Sequence, residues 1–400
     1  MKKARLGLIC TFSALLLWGQ EMIGPARAET GVTDGEIRIG MWTSLSGPLS
    51  LLGQSEKDGV GVWAKEVNDR GGINGRKIVL IAYDDAASPQ EAQTAVRRLI
   101  DQDQVFMLIA GSSSGSTLPV RQVISRDKVP FVSSYSSNVN LMSPFSRYIF
   151  RIYANEDYQA DGIIEWMMTR EKIAKPAIIY NSNDYGVGGY NIFVQRLKDK
   201  YNMAPVAAER YNPGDQDFTA QLLRIKGAHP DGLLIYAFAA EAGIIVRQAK
   251  EQGLDVKLFG GGATGTPLLI KAAGPASAGF ISVFTVPEIP ENSKAPAVIK
   301  YKDELKSWFH PDGYPPGRPS EYDMAAYAAG KVTEAALEKV GKNVTREGFI
   351  DALETLKDFA TGTTFPVTFT KESHEGTTHV SVIRVTPDLH WETDPDYVGK

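Results

Sequence analysis

Short apolar runs alternate with amphipathic stretches in the first third of the chain. The runs "IRIGMW", "KIVLIAY", "VFMLIAG" and "VPFVSSY" are continuously apolar, which is typical of parallel strands that are buried on both faces. Helical patterns lie between the runs, and the pattern after Ser88 has an apolar stripe that includes Ala92, Val96 and Leu99. This alternation predicts a parallel β-sheet that is covered by helices on both faces.

The same plan recurs in the middle of the chain. Four further runs, "AIIYN", "PVAAERY", "DGLLIYAF" and "VKLFGG", alternate with helical patterns near residues 188–200, 217–227 and 240–252. The repetition predicts an α/β fold with two doubly wound lobes, near residues 36–150 and 153–283.

The last part of the chain has a different pattern. It contains a helix around Trp308, an Ala-rich helix from Glu321 and three β-like runs, "FPVTFT", "HVSVIRV" and "HWETD". These elements lack a complete core of their own, so we expect them to complete the two lobes.

The opening segment has the pattern of a secretory signal peptide. A basic start, "MKKAR", precedes an apolar run from Leu6 to Trp18, and "ARA" supplies small residues for cleavage before Glu29. The apolar run is shorter than the roughly 20 residues that a membrane-spanning helix needs. We therefore predict that residues 1–28 are a signal peptide and that the mature chain is secreted.

Charge and cysteine content argue against several classes of function. The formal net charge of -4 gives no reason to expect a nucleic-acid partner. The single cysteine, Cys10, lies within the predicted signal peptide, so the mature chain is expected to have no disulfide, thiol nucleophile or cysteine-ligated metal. The loops after the predicted strands are rich in hydroxyl, glycine and aromatic residues, so no metal or other cofactor is predicted.

One of these loops, "GSSSGSTLP", contains the Gly-x-Ser-x-Gly pattern of a hydrolase nucleophile, centred on Ser113. A nucleophilic serine needs a base. The histidines of the chain all fall in predicted turns or late strands: His229, His310, His374, His379 and His390. We therefore predict that the protein is not an enzyme, and we keep two alternatives for the loop, a secreted esterase that uses Ser113 and a solvated turn.

The same loop suits the binding of an anion. Pro119 favours the first turn of a helix, so the amides of residues 115–117 would point into the loop beside the hydroxyl groups of Ser113 and Ser114. Each charge-assisted hydrogen bond to a carboxylate contributes on the order of 1.5–3 kcal/mol. The loop at residues 133–138 repeats this chemistry after the next strand, which predicts a shared anion site. Its candidate ligand-binding residues are Tyr135, Ser136 and Ser137.

Five segments resemble the leucine/isoleucine/valine-binding family of periplasmic solute-binding proteins: "LSGPLSLLGQ", "VNDRGGINGRKIVLIAYDDAASPQEAQTAVRRLI", "GSSSGSTLP", "YNSNDYGVGGY" and "IVRQAKEQGL". The resemblance covers nearly the whole mature chain. It implies the type I periplasmic binding protein fold, in which two lobes are joined by three hinge crossings, here near residues 150–155, 283–287 and 363–366. Lobe 1 would then comprise residues 29–152 and 286–363, and lobe 2 residues 153–285 and 364–400.

The resemblance also implies roles for individual residues. The carboxylate of a ligand would be held by Ser114 with Ser113, and by Ser137 with Tyr135. From the second lobe, Tyr185 and Phe238 would close over the ligand. The resemblance also places Leu52 and Gly262 at the cleft. Trp42 ends the first predicted strand, so it would either belong to the core or form a flat aromatic slot with Tyr135, Tyr185 and Phe238. The family's frequent disulfide would join the positions of Ala87 and Ser113, and both lack cysteine together.

Gly262 departs from the amino-acid binders of the family, which carry an acidic residue there for the ligand ammonium. An ammonium that is buried without a carboxylate partner is strongly disfavoured. Glu241 is a candidate substitute, although a glutamate at a helix start is commonly a solvated charge.

The leading interpretation is therefore a periplasmic receptor, monomeric like its relatives, that passes its solute to an ABC permease. The solute would be a small organic carboxylate without an α-amino group, with an aromatic acid as first candidate. A binder of branched-chain or other amino acids is an alternative of the same class. A sensory module that presents its ligand to a separate signalling partner is another.

Overall fold

The structure, a computed structural model, describes residues 29–111 and 113–398. The predicted signal peptide lies outside the described residues. The strands are β1 (Glu36–Thr43), β2 (Lys77–Asp84), β3 (Met107–Ala110), β4 (Phe131–Ser133), β5 (Ile149–Arg151), β6 (Pro176–Asn181), β7 (Ala207–Tyr211), β8 (Gly232–Tyr236), β9 (Lys257–Gly260), β10 (Ile281–Phe284), β11 (Ser381–Val385) and β12 (Trp391–Thr393).

Helices separate most of the strands. They are α1 (Ser50–Asp69), α2 (Pro89–Asp101), α3 (Ser114–Thr117), α4 (Arg121–Arg126), α5 (Glu156–Glu165), α6 (Asp184–Tyr201), α7 (Thr219–Gly227), α8 (Ala239–Glu251), α9 (Pro267–Ala273), α10 (Pro296–Phe309), α11 (Glu321–Val340) and α12 (Arg346–Leu353). Every helix that the sequence predicts is present.

Two sheets divide the protein into two lobes. The first sheet is entirely parallel, in the order β2-β1-β3-β4-β5, and the second has the order β12-β11-β10-β9-β8-β6-β7. Strands β6 to β10 are parallel, whereas β11 and β12 are antiparallel additions at the edge. The parallel part of each sheet follows the same doubly wound order, so the predicted repetition and fold class are confirmed.

The C-terminal third is shared between the lobes, as the sequence indicates. Helices α10 and α11 pack against α1 of the first lobe, whereas β11 and β12 extend the second sheet. The contact between α1 and α11 is close, because a Cβ atom on Gly59 would lie 2.7 Å from the carbonyl oxygen of Asp323. A Cβ atom on Gly330 would overlap the Trp63 ring.

Three segments cross between the lobes. The first lies between β5 and α5, and the second between β10 and α10. The third lies later than the predicted residues 363–366. The Arg151 amide donates to the His374 carbonyl (3.0 Å) and the Gly376 amide donates to the Arg151 carbonyl (2.7 Å), so this segment pairs with the edge of the first sheet. Residues 364–376 therefore stay with the first lobe.

The run "FPVTFT" does not form the predicted strand. Val367 makes only an isolated antiparallel bridge with Phe359. The chain then turns, and Phe369 packs edge-on against Phe150 at 5.1 Å. The apolar residues of the run thus cover the first lobe without joining a sheet.

Candidate functional site

The strand ends of the two lobes face each other across a cleft. A cavity of about 220 Å³ is lined by Ser113 and Gly115 from the first lobe and by Asp184 and Phe238 from the second. The loops that the sequence predicts as ligand-binding are therefore next to one another in the fold.

Two serine loops, at residues 113–117 after β3 and at residues 133–138 at the end of β4, lie at the cleft. A tight turn after β3 presents the first of them. Ala110 and Gly111 have φ angles of +76° and +82°, and a Cβ atom on Gly111 would lie 2.9 Å from the Phe131 ring. Only glycine fits at that position without displacement of the ring. The Ser113 hydroxyl caps α3 by accepting from the Ser116 amide (3.3 Å).

A hydrogen bond joins the two serine loops, and Glu56 of α1 accepts hydrogen bonds from residues beside them. The Asn138 amide donates to the Ser114 hydroxyl (3.2 Å). Glu56 of α1 accepts from the Ser134 hydroxyl (2.5 Å) and the Thr43 hydroxyl (2.8 Å). Burial raises the pKa of Glu56 to about 8, so this carboxyl group is mostly uncharged at pH 7 and does not repel an anion above it.

The loop at residues 133–138 is held in place by a buried cation. The Arg151 guanidinium donates to the Ser136 carbonyl (3.1 Å) and pairs with Glu375, whose Oε2 accepts at 2.9 Å. The Ser136 hydroxyl has no hydrogen-bond partner among the described residues. The Ser137 hydroxyl donates to Glu156 of the second lobe (3.4 Å).

Aromatic rings fill the interior of the cleft. In the first lobe Tyr135 packs against Tyr322, with ring centroids 4.4 Å apart. It also packs against Tyr153 of the first crossing, at 4.6 Å. In the second lobe Tyr185 packs against Phe238 at 5.2 Å. All five side chains are buried, so they form a largely apolar wall around the polar loops.

Two hydrogen bonds connect these rings to the loop after β9. The Tyr322 hydroxyl donates to the Ala263 carbonyl (2.9 Å), and the Ala263 amide donates to the Tyr185 hydroxyl (3.3 Å). Tyr322 belongs to the first lobe and Ala263 to the second. The contact therefore joins the lobes at the back of the cleft.

Gly262 lies beside a glutamine side chain. A Cβ atom on Gly262 would overlap the Gln159 amide oxygen and lie 3.6 Å from the Tyr153 hydroxyl. An acidic side chain at this position would have to displace Gln159. Glu241, the candidate substitute, accepts from the Tyr211 hydroxyl and from the Gly214 amide, both at 2.7 Å, so each of its oxygens is already engaged.

Two buried carboxyl groups at the cleft were not predicted as ligand-binding. Glu321 begins α11, and its Oε2 accepts from the Thr285 hydroxyl (3.1 Å). Burial raises the pKa of Glu321 to about 8 and that of Glu156 well above the usual range. Tyr153 and Glu156 lie at the first crossing and Glu321 begins α11, whereas the sequence patterns point only to loops that follow central strands.

Two predicted positions lie in the core instead of the aromatic wall. Trp42 is fully buried against Phe131, with centroids 4.9 Å apart, and packs with the core between the first sheet and α2. Leu52 is also buried in the core of the first lobe, and Leu49 lines the cavity three residues earlier. Trp42 does not join the predicted aromatic slot because its ring points into the core below the sheet edge.

The described contacts of Ser113 include no histidine. Its hydroxyl bonds only Ser116, whereas His310 pairs with Asp58 and His374 contacts Glu354. In the described part of the chain, no group of three or more His, Cys, Asp or Glu residues is arranged to hold a metal ion. None of the helices found there is long and apolar enough to cross a membrane.

Comparisons with known proteins match most of the chain. The model of the periplasmic binding protein family matches residues 36–389. The Leu/Ile/Val-binding protein homolog 3 of Brucella melitensis is 26% identical over 76% of this chain and 80% of its own.

Two solved structures show the same fold. The branched-chain amino acid transporter substrate-binding protein of Streptococcus pneumoniae, in complex with isoleucine, has a TM-score of 0.77 and 22% identity over 90% of this chain and 99% of its own. A fatty acid ABC transporter substrate-binding protein of Thermomonospora curvata has a TM-score of 0.81 and 23% identity over 94% and 95%.

Proposed function

The chain belongs to the periplasmic binding protein family, and we propose that it captures a small carboxylate-bearing solute and delivers it to an ABC permease. The signal-peptide pattern of residues 1–28 supports action in the periplasm. A monomer is sufficient for this role, since both walls of the cleft come from one chain.

One observation supports the proposal above all: Ser113 and Gly115 of the first lobe line the same cavity as Asp184 and Phe238 of the second lobe. The Asn138 side chain, which donates to the Asp184 carbonyl (2.9 Å), connects these two walls directly. A ligand that contacts both walls stabilises the closed form relative to the open form, which is how solute binding drives hinge closure.

We propose that the solute is an apolar amino acid. The relative from Brucella is named for leucine, isoleucine and valine, and the structure from Streptococcus holds isoleucine. The aromatic wall suits an apolar side chain, and the serine loops suit an α-carboxylate. The sequence alone favours a carboxylate without an amino group over an amino acid, so the order of the two candidate solutes is reversed here.

A carboxylate without an amino group is the second candidate. The observation in its favour is Gly262, where Gln159 occupies the space that an acidic side chain would need. A protein of the same fold is named for fatty acid transport, so the fold itself is compatible with either class.

Calorimetric titration and thermal unfolding with leucine, isoleucine, valine, benzoate, cinnamate and hexanoate test this proposal. We expect an amino acid to stabilise the protein by about 2.7 kcal/mol at a hundred times its Kd. A response to benzoate, cinnamate or hexanoate alone would favour the second candidate. No response to any of the six would contradict the proposed ligand chemistry.

The variant Ser114→Ala tests the serine loop. It removes a hydroxyl that bonds the Asn138 amide at the cleft, so we expect the affinity for the solute to fall roughly tenfold. Ser125→Ala is the matched control, since the Ser125 hydroxyl bonds Ser146 on the first lobe (2.7 Å). Equal affinities of the two variants would exclude Ser114 from the site.

A further inference from the structure

Glu321 has a buried carboxylate oxygen with no partner within hydrogen-bond distance among the described residues. The side chain is fully buried, and Oε2 accepts from the Thr285 hydroxyl and, at 3.4 Å, from the Thr285 amide. Oε1 has no hydrogen-bond partner among the described residues. The Tyr153 hydroxyl, which is also buried, likewise has none in this part of the chain. The Tyr153 hydroxyl is close enough to the Glu321 carboxylate to lower its pKa. Buried polar atoms are rarely left without full hydrogen-bond partners, so these two neighbouring groups point to a ligand.

The position of Glu321 is next to the loop that contains Gly262. Its neighbour Tyr322 donates to the Ala263 carbonyl, and the Tyr153 hydroxyl lies 3.6 Å from the place of a Cβ atom on Gly262. The start of α11 thus approaches that loop from the opposite lobe.

We infer that Glu321 binds the ammonium group of an amino-acid ligand and so fixes the specificity of the cleft. The inference rests on the proposed function. The acidic group would come from the first lobe at the start of α11, instead of from the second lobe at Gly262. The ligand would lie between the serine loops, which hold its carboxylate, and the start of α11.

The other buried carboxyl groups fit this role less well. Glu241 already accepts hydrogen bonds at both oxygens. Glu156 accepts from Ser137, and its Oε2 lies against the backbone of α6, where a Cβ atom on Gly188 would overlap it. Glu156 Oε2, like Glu321 Oε1, has no hydrogen-bond partner among the described residues. Glu321 differs because it lies beside the Tyr153 hydroxyl and near the Gly262 loop.

The electrostatics of the cleft agree with this geometry. Burial raises the pKa of Glu321 to about 8, while the Thr285 amide and hydroxyl and the nearby Tyr153 hydroxyl act in the opposite direction. A ligand cation beside the carboxylate would favour its ionised form. A carboxylate ligand without an amino group would gain nothing from Glu321 and would leave Oε1 without a partner.

Calorimetric titration of leucine and of 4-methylpentanoate, which has the same skeleton without the amino group, tests the inference. The wild-type protein should bind leucine at least roughly tenfold more tightly than 4-methylpentanoate. In Glu321→Gln, which has nearly the same shape, leucine should bind roughly ten to a hundred times more weakly. Binding of 4-methylpentanoate should stay the same or become tighter.

The matched control is Glu66→Gln. Glu66 is a buried carboxyl group of the first lobe that accepts from the Tyr327 hydroxyl (2.9 Å), on a side of α1 that faces α11. This variant should keep the wild-type preference for leucine. Circular dichroism of each variant checks that it is folded. The ratio of the leucine and 4-methylpentanoate affinities of the wild-type protein tests the inference even if a variant does not fold.

The outcomes separate the two proposals. Undiminished leucine binding by Glu321→Gln overturns the inference and leaves the proposed function intact. Loss of the leucine preference in Glu241→Gln, with Glu321→Gln unaffected, also overturns it. A wild-type protein that binds 4-methylpentanoate but not leucine overturns the proposed amino-acid class and the inference with it.

Discussion

At the scale of single residues, the buried carboxyl group of Glu56 should make the stability of the protein depend on pH. Its pKa is raised from 4.5 to about 8, chiefly by burial, so the folded state favours the protonated form. A group whose pKa is higher in the folded state makes its full contribution to the free energy of unfolding below pH 4.5. That contribution is lost as the pH rises to about 8. The loss amounts to about 1.4 kcal/mol per pH unit between the two pKa values.

Glu56→Gln should remove this dependence. Because glutamine carries no charge, we expect the variant to match the wild type at low pH and to exceed its free energy of unfolding by a few kcal/mol near pH 9. Urea unfolding of both proteins across this range measures the difference. A constant difference between the two proteins at every pH would contradict the assignment.

Part of the candidate site could be predicted from the sequence. Ser113, Ser114 and Tyr185 follow strand ends, and strand ends of a doubly wound sheet converge in space. Trp42 could not be placed in this way, since a tryptophan at a strand end can face the core or the cleft. Glu321 could not be predicted as a site residue. Its position depends on the return of the chain from the second lobe, which packs α11 against α1 and places its start near the Gly262 loop.

At the scale of helices, the start of α6 controls how closely the lobes approach. A Cβ atom on Gly188 would lie 2.6 Å from the side-chain amide nitrogen of Asn138 in the first lobe. It would also overlap the carboxylate of Glu156, which belongs to the second lobe like Gly188 itself. Gly188→Ala should therefore hinder closure. Overpacking typically costs about 1–3 kcal/mol, which corresponds to a loss of affinity of roughly ten- to a hundredfold.

The same substitution should affect the open protein less than the closed form. Opening removes the contact with Asn138, and the preference for alanine over glycine within a helix, roughly 1 kcal/mol, opposes the remaining overlap with the flexible Glu156 side chain. Gly227→Ala, in α7, is the control, because no atom of the described residues that could clash lies within 4 Å of its added Cβ atom. If both variants bind the solute equally well, Gly188 does not limit closure.

The elements that the sequence missed are those without a long apolar run. Strand β5 has only three residues and ends at Arg151, whose charge is neutralised by Glu375 more than two hundred positions later. That pairing also moves the third crossing beyond residue 376. Local patterns contain no information about such distant partners, whereas the long strands β1 and β2 were predicted from their own residues.

At the scale of the whole molecule, the lobes meet through contacts from all parts of the chain. Asn138 and Tyr322 of the first lobe bond Asp184 and Ala263 of the second. The two contacts involve elements that are far apart in the chain, so we expect closure to move the lobes as rigid bodies about the crossings. A ligand between them should then stabilise both lobes together.

Hydrogen exchange of the backbone amides can test this coupling. At a hundred times the Kd of the solute, amides that exchange only by opening of the cleft should exchange about a hundredfold more slowly. We expect this protection at residues 137–138 of the first lobe and at residues 184–188 and 262–264 of the second. The outer helix α2 should be unaffected where it exchanges by local fraying. Protection confined to one lobe would mean that the solute binds without closure, and the two walls would then not form a single site.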